Sequence, residues 1–344
     1  MSSGKSVPGS SEAKAAGADT LGRVNPGPKS TVVVVTWRGR AHVGRCLDAL
    51  RNQRPHRLLV VDNASDDGTA GVLAEHPSRP EVLRLPRNLG YAGGVQRALG
   101  RVETEYVAWL NDDARPDADW LDTLEAALDA SPEAAAAASL LYGADGTVSR
   151  GVRLTATGHG ADTAEPQRVF GFCGGAVLLR TAVLREVGGV PASFFCYYED
   201  TDTSWRLRLA GHEVLPTTAG CAHTPGTSSA PGSARFHLWN ERNRLVMLLR
   251  CAPARIALRE VLRFGAVTAA LPLRRLRGAV VPEAANFRVP LRLRVLGQLF
   301  ARFPRTLRQR RRVAARSVVD RRQVWNRWSE AGRHRTRPPG AERP

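Results

Sequence analysis

Four short apolar runs, each ending in polar residues, constrain the fold of this chain more than any other feature. TVVVVT (31–36) is a continuous β-branched segment, the pattern of a strand covered on both faces in a parallel sheet. RLLVVDNAS (57–65), EVLRL (81–85) and EYVAWLNDD (105–113) repeat it. Between them lie helical spacings: Val43, Leu47 and Leu50 on one face beside Cys46, then residues 70–75, then 94–100. Strand and helix in this alternation predict βαβ units and an α/β fold. In such sheets ligands bind beyond the carboxyl ends of the strands. Thr36, Asp62, Asn63, Asn88, Asp112 and Asp113 all fall at those ends, and core packing does not require them there. That rim is the predicted site.

Further along, residues 117–130 read as a helix, and the alanine-rich 132–141 leads into a strand. Residues 143–168 suit a loop or hairpin. FGFCGGAVLLR (170–180) reads as a glycine-broken strand, and 181–187 as a short helix. An aromatic approach (193–198) precedes the acids Glu199, Asp200 and Asp202, with a helix expected from Trp205 to Ala210, capped by Gly211. Acids in that place either complement a helix dipole or supply a general base. Asp112 and Asp113, with His223 downstream, suit a hard divalent cation that neutralises a diphosphate; the plainer alternative is a turn.

Charge divides the chain. Net charge is +18, yet residues 231–344 hold 27 arginines against six acids, so the first 230 residues are slightly acidic. Leucines and arginines alternate there at helical spacing, as in amphipathic helices lying on an anionic membrane surface. A solvated basic face is the simpler reading, and nucleic-acid binding is the rival one. Against the rival, the tail shows few aromatics for base stacking. Five cysteines without a C-x-x-C pair argue for a reducing compartment. The first 29 residues lack an apolar signal region, and the longest charge-free stretch of the basic third, 264–273, is half of what a span needs, about 20 residues.

The ordered series VVVVTW, VVDNASDDGT, RNLGYAGG, YVAWLNDDARPD, CGGAVLLR, VGG…FFCYYEDTDTSWRLRLAGH and HTPGTS resembles family 2 glycosyltransferases of the GT-A fold, most closely their rhamnosyltransferase-like branch. The resemblance runs from about residue 31 to 249. It implies a Rossmann-like mixed sheet flanked by helices, followed by a basic helical region. The divisions expected are a disordered leader (1–29), a catalytic domain (30–235), a membrane-associating helical region (236–330) and a disordered tail (331–344).

By position, the resemblance implies that Thr36, Trp37, Asp62, Asn63, Asn88, Gly90 and Asp112 bind the nucleotide. Asp113 and His223 would hold Mg2+ or Mn2+, and Asp200 would be the catalytic base of an inverting transfer. Gly174, Gly175, Tyr198, Glu199, Asp202 and Arg242 would shape the acceptor side. The implied donor is a dTDP-rhamnose or UDP-hexose type of nucleotide sugar. The implied acceptor is a glycan or polyprenyl-linked molecule of the cell surface, reached by a cytoplasmic enzyme peripheral to the inner face of the membrane. A nucleic-acid binder and a non-catalytic nucleotide-sugar binder are the alternatives. Two places depart from the family pattern: Trp37-Arg38 replaces Tyr-Asn, and Val190-Pro191-Ala192 replaces Phe-Asp-Glu.

Overall fold

A computed structural model of the chain describes residues 27–223 and 232–331, with Met1 and Gly4. Most of the leader expected over 1–29, the tail expected over 331–344 apart from its first residue, and the TPGTS run beyond His223 lie outside the described residues.

The predicted βαβ alternation forms the heart of the fold. β1 (Ser30–Thr36) is buried at every position and runs parallel to β2 (Arg57–Asp62) on one side and β4 (Tyr106–Asn111) on the other. β3 (Glu81–Arg84) extends the parallel set beside β2. The connecting helices are α1 (Val43–Leu50), α2 (Thr69–Glu75) and α3 (Gly90–Ala98). Register brings the polar ends level, with Thr36 opposite Asp62, Asp62 opposite Arg84 and Val35 opposite Asn111.

The second half completes a mixed sheet. After β5 (Ala114–Pro116) and α4 (Trp120–Asp129) come β6 (Ala134–Tyr142), β7 (Val148–Ser149) and a separate hairpin of β8 (Gly151–Leu154) and β9 (Gly160–Thr163). β10 (Ala176–Arg180) inserts antiparallel between β4 and β6; α5 (Thr181–Glu186) follows it. Next come α6 (Glu199–Leu209) and β11 (Glu213–His223), which runs parallel to β6 and antiparallel to β5. The order β3-β2-β1-β4-β10-β6-β11-β5 is the α/β mixed sheet that the resemblance implies.

Three local expectations shift. The alanine-rich segment is itself the strand: Ala134 to Ala138 are at most 1% exposed, and burial between β10 and β11 overrides alanine's weak strand preference. α3 starts at Gly90 rather than Gly94, because close packing on β1 needs glycine; a Cβ on Gly94 would stand 2.7 Å from Val35 Cγ1. α6 begins at Glu199, so the acids sit in its first turn instead of ahead of it.

The basic third is helical, in α7 (Ala234–Cys251), α8 (Ala254–Leu276), α9 (Val289–Ala315) and α10 (Arg321–Trp328). Its apolar residues join the core of the sheet. Leu245, Met247, Val295 and Trp325 share one buried cluster with Val33, Trp109 and Trp205, and Trp325 stacks on Trp205 at 6.0 Å. Among the described residues, no helix is long and apolar enough to cross a membrane.

Asp202 ties α6 to α7. Its fully buried carboxylate accepts from Arg206 Nε at 2.8 Å and faces Arg250 Nη1 at 2.9 Å. Removing it strands two buried guanidinium groups. Asp202→Ala is expected to cost about 3–5 kcal/mol in urea unfolding; a loss below about 0.5 kcal/mol, the range of ordinary surface changes, contradicts this role.

Candidate active site

The strand ends open onto a cavity of about 550 Å3, lined among others by Trp37, His42, Asn88, Asp112, Phe195 and Trp239. Thr36, His42 and Asp112 meet around Gly39, where any Cβ would overlap the Thr36 hydroxyl and stand 2.7 Å from Asp112 Oδ2. His42 Nε2 lies 3.2 Å from Asp112 Oδ2, and that hydrogen bond raises the imidazole pKa. The Thr36 hydroxyl is buried without a hydrogen-bond partner among the described residues. Trp37 is 41% exposed at the mouth. Its ring carries the Arg38 guanidinium at 5.0 Å, which Asp66 grips through two bonds of 2.6 and 2.7 Å.

Other predicted nucleotide contacts build the wall. Asp62 is buried; its Oδ1 accepts from Ser65 N at 2.8 Å and its Oδ2 from Arg84 Nη1 at 2.5 Å. Asn63 accepts from Leu89 N at 2.8 Å and donates to Gly90 O at 3.0 Å, while Asn88 accepts from Gly90 N at 2.7 Å. Together they fix the entry to α3. Gly90 is required twice over: its φ is +74°, and a Cβ would overlap the Phe195 carbonyl. Asn63, Asn88 and Gly90 line the cavity; Asp62 lies beneath it and acts through the turn it closes.

Asp113 follows Asp112 in the turn between β4 and β5. Its Oδ1 is 3.4 Å from His223 Nε2 at the end of β11, and both side chains are largely buried. Asn111 Nδ2 lies 2.9 Å from the same imidazole nitrogen, a contact that a cation bound to that nitrogen would replace. Two ligand atoms on an octahedral Mg2+ with bonds of about 2.1 Å stand roughly 3–4 Å apart, so this pair fits one small cation. Among the described residues, no group of three or more His, Cys, Asp and Glu side chains is placed to hold a metal. Such a centre would rely on diphosphate and water oxygens for its other ligands, as Mg2+ sites commonly do.

Asp200 lies across a two-residue step from this pair. Gly174 N donates to Asp200 Oδ2 at 3.1 Å, and Gly174 O accepts from Tyr91 Oη at 2.7 Å. The next carbonyl, of Gly175, accepts from Asn111 N at 2.9 Å, and a Cβ there would lie 3.6 Å from His223 Nε2. Burial raises the Asp200 pKa, against bonds from Thr201 and Gly174 that lower it. Its neighbour Glu199 is buried with Oε2 unpartnered among the described residues, and burial plus the Asp200 charge push its pKa up to about 8. The two carboxyl groups are thereby separated in role: Glu199 neutral, Asp200 the one that ionises first.

Tyr198, Asp202 and Arg242 do not reach the cavity. Tyr198 is buried in the main core, and Asp202 is held by Arg206 and Arg250. Arg242 donates to the Phe194 carbonyl at 2.6 Å, while Asn243 Nδ2 lies within 3.0 Å of the carbonyls of Phe194, Cys196 and Tyr197. These two residues clamp a segment in which Phe195, Tyr197 and Tyr198 all have φ near +70°. Aromatic side chains pack beside it: Phe195 meets Trp239 at 4.9 Å, both lining the cavity, and Tyr197 meets Phe236 at 5.1 Å. His42, Arg84, Asn243 and Trp239 escaped sequence reasoning; only the Arg-Asn dipeptide at 242–243 offered a signal.

Residues 31–188 match the family described as Glycosyl transferase family 2. The chain is 30% identical over 250 residues to the N-acetylglucosaminyl-diphospho-decaprenol L-rhamnosyltransferase of Mycobacterium tuberculosis, covering 60% of this chain and 80% of that protein. It belongs to glycosyltransferase family 2, and within it is rhamnosyltransferase-like. Solved structures share the fold. The mannosyltransferase PcManGT of Pyrobaculum calidifontis, in complex with GDP-Man and Mn2+, aligns with a TM-score of 0.51 at 18% identity, over 88% of both chains. TarS 1–349 of S. aureus, in complex with UDP, also gives 0.51 at 18% identity, over 86% of this chain and 90% of that one. The chain is therefore a nucleotide-sugar glycosyltransferase of GT-A fold, and the nucleic-acid reading of its basic third is not favoured.

The raised Glu199 pKa makes stability depend on pH. A carboxyl that titrates near 8 when folded and near 4.5 when unfolded binds its proton more tightly in the native state. Its contribution is full below pH 4.5 and is lost as pH rises toward 8. Glu199→Gln, which keeps the neutral shape, is expected to flatten the melting-temperature profile across that window; an unchanged slope contradicts a neutral Glu199.

Proposed function

We propose that the protein transfers a sugar, with inversion, from a nucleoside-diphosphate sugar to a hydroxyl of a lipid-linked glycan acceptor, with Asp200 as general base. The observation that carries this reading is the Gly174–Gly175 step, which bonds to Asp200 on one side and abuts His223 and Asn111 on the other. A hydroxyl nucleophile and a departing diphosphate need that proximity.

Trp37 offers an exposed aromatic face for the base, with Thr36, Asn63, Asn88, Gly90 and the Asp112–His42 pair around base and ribose. Asp62 positions their turn. Asp113 and His223 would hold a divalent ion, Mg2+ or Mn2+, which would neutralise charge on the diphosphate leaving group. Asp200 takes the acceptor proton as the hydroxyl oxygen bonds to the anomeric carbon and the sugar–diphosphate bond breaks. Its raised pKa brings it closer to neutral pH, where a general base works best. Neutral Glu199 keeps a second negative charge out of the acceptor pocket.

The mycobacterial relative's name, with its decaprenol-linked acceptor, supports an acceptor of that class and dTDP-rhamnose as donor, ahead of a UDP-hexose. An apolar groove of about 560 Å3 between α8 and α9 supports attachment to the inner face of the cell membrane during surface-glycan synthesis. Leu258, Phe300, Phe303 and Leu307 on that face are 40–83% exposed. On this reading residues 30–235 form the catalytic unit and 236–330 also serve attachment.

Asp200→Asn is expected to retain nucleotide-sugar binding in calorimetry while transfer falls by ~10²–10⁴-fold, the range for a lost general base. Undiminished turnover removes Asp200 from that role. Phe300→Asp combined with Leu307→Asp is expected to abolish co-sedimentation with anionic vesicles while donor hydrolysis in solution persists. Persistent sedimentation rules out the groove as the attachment face.

A further inference from the structure

Behind the turn that follows α5 lies a second cavity, of about 190 Å3, between that turn, α6, α7 and α9. Five arginines line it: Arg206, Arg250, Arg305, Arg312 and Arg316. Among the described residues, the ion pairs of this set go to one carboxylate, Asp202, which Arg206 and Arg250 share. Arg206 is fully used, donating to Asp202 at 2.8 Å, to the Val187 carbonyl at 2.7 Å and to the Thr203 hydroxyl at 2.8 Å. Arg250 is not. It is 6% exposed, yet its Nε has no hydrogen-bond partner among the described residues.

The other three arginines stand in series on one stripe of α9. With Gln309 they occupy positions 305, 309, 312 and 316, a spacing that aligns side chains on one helix face. Arg316 reaches over the turn at Gly188, where φ is +98° and a Cβ would stand 2.5 Å from its Nη1. The turn is thus shaped to admit a guanidinium. An unpartnered buried donor and three surface guanidiniums converge on one small space with no free carboxylate, a site of uncompensated positive charge.

We propose that this cavity binds a phosphate group, at a place separate from the diphosphate position beside Asp113. Guanidinium forks match phosphate oxygens in charge and in geometry. The orientation of α9 bears on the source of that phosphate. At 3.6 residues per turn, positions 305, 309, 312 and 316 lie on the opposite flank of the helix from 300, 303 and 307. A planar bilayer seated on the apolar groove does not reach the arginine stripe, which favours a phosphate in solution or on a substrate over a headgroup. This inference stands independently of the transfer mechanism.

The test uses the full chain without divalent ions, with inorganic pyrophosphate followed by calorimetry and with phosphatidylglycerol or phosphatidylcholine vesicles followed by sedimentation. Arg312→Gln/Arg316→Gln is compared with Arg274→Gln/Arg275→Gln, which removes equal charge from an exposed site on α8 and its end. Melting temperatures establish that both variants are folded. The expected result is a pyrophosphate affinity lowered on the order of tenfold in the first variant and unchanged in the second and in Asp113→Ala. If the same selectivity appears only with phosphatidylglycerol vesicles, the phosphate belongs to a lipid headgroup. If the two double variants behave alike in both arms, bulk charge explains any binding and the proposal is overturned.

Discussion

The peptide joining Gly174 to Gly175 sets the distance on which the rest of the site depends. It enters β10, the strand antiparallel to its neighbours, so its backbone groups are aligned by β4 on one side. Through Gly175 O it is fixed to Asn111, whose side chain, like that of Asp113, meets His223 Nε2. Through Gly174 N it is fixed to Asp200. A Cβ on Gly174 would stand 3.4 Å from Asp200 Cβ, and one on Gly175 3.6 Å from His223 Nε2. The glycines bring two carboxylate-bearing loops together without filling the gap. An antiparallel strand inserted in a parallel sheet gives this geometry because it reverses chain direction at the rim where the parallel strands end.

The other constraint is conformational. Phe195, Tyr197 and Tyr198 are bulky residues held at positive φ, a region that such residues rarely occupy and that costs of order 1–3 kcal/mol each. They persist because Asn243 and Arg242 on α7 capture their neighbouring carbonyls, and because Ala92 N donates to the Phe195 carbonyl at 3.1 Å. The strained segment therefore joins the donor wall at α3 to the acid pair at the start of α6. α7 is part of the catalytic body in mechanical terms, although it lies beyond the sheet in sequence.

How much was legible in the sequence follows from which signals are local. The continuous apolar, β-branched runs of β1, β2 and β4, and the polar residues at their ends, depend on nothing distant, and they are where the alternation places them. The start of α3 and the strand at Ala134 were not readable, since glycine and alanine there answer to the close approach of other elements. Asp200 and Asp202 show the limit most sharply. Two positions apart on one helix, they face different sides; Asp200 meets Gly174, while Asp202 is buried against Arg206 and Arg250. Reading the acids as preceding the helix discards that periodicity, and with it the distinction between the carboxylate that meets Gly174 and the one held in a buried ion pair. Arg84 and His42 had no signal, because each matters through a partner brought near only by the fold.

The large positive charge also changes meaning once the arginines are placed. Arg310 donates to the carbonyls of Leu249 and Ala252 at 2.8 Å, closing the end of α7. Arg292 donates to Phe264 O and Asn286 O at 3.0 Å and ties α8 to α9. Arg244 is 3% exposed and pairs with Glu241 while reaching the Thr157 carbonyl. These guanidiniums work as multidentate donors inside the fold, a task lysine's single ammonium performs poorly because it lacks the planar fork. These bonds leave the charge in place, but they commit those side chains to the fold, so the arginines free to meet a partner are those left exposed along α8 and α9. On α9 one stripe carries Arg305, Arg312 and Arg316 and the opposite one Phe300, Phe303 and Leu307, a segregation that total charge alone could never reveal.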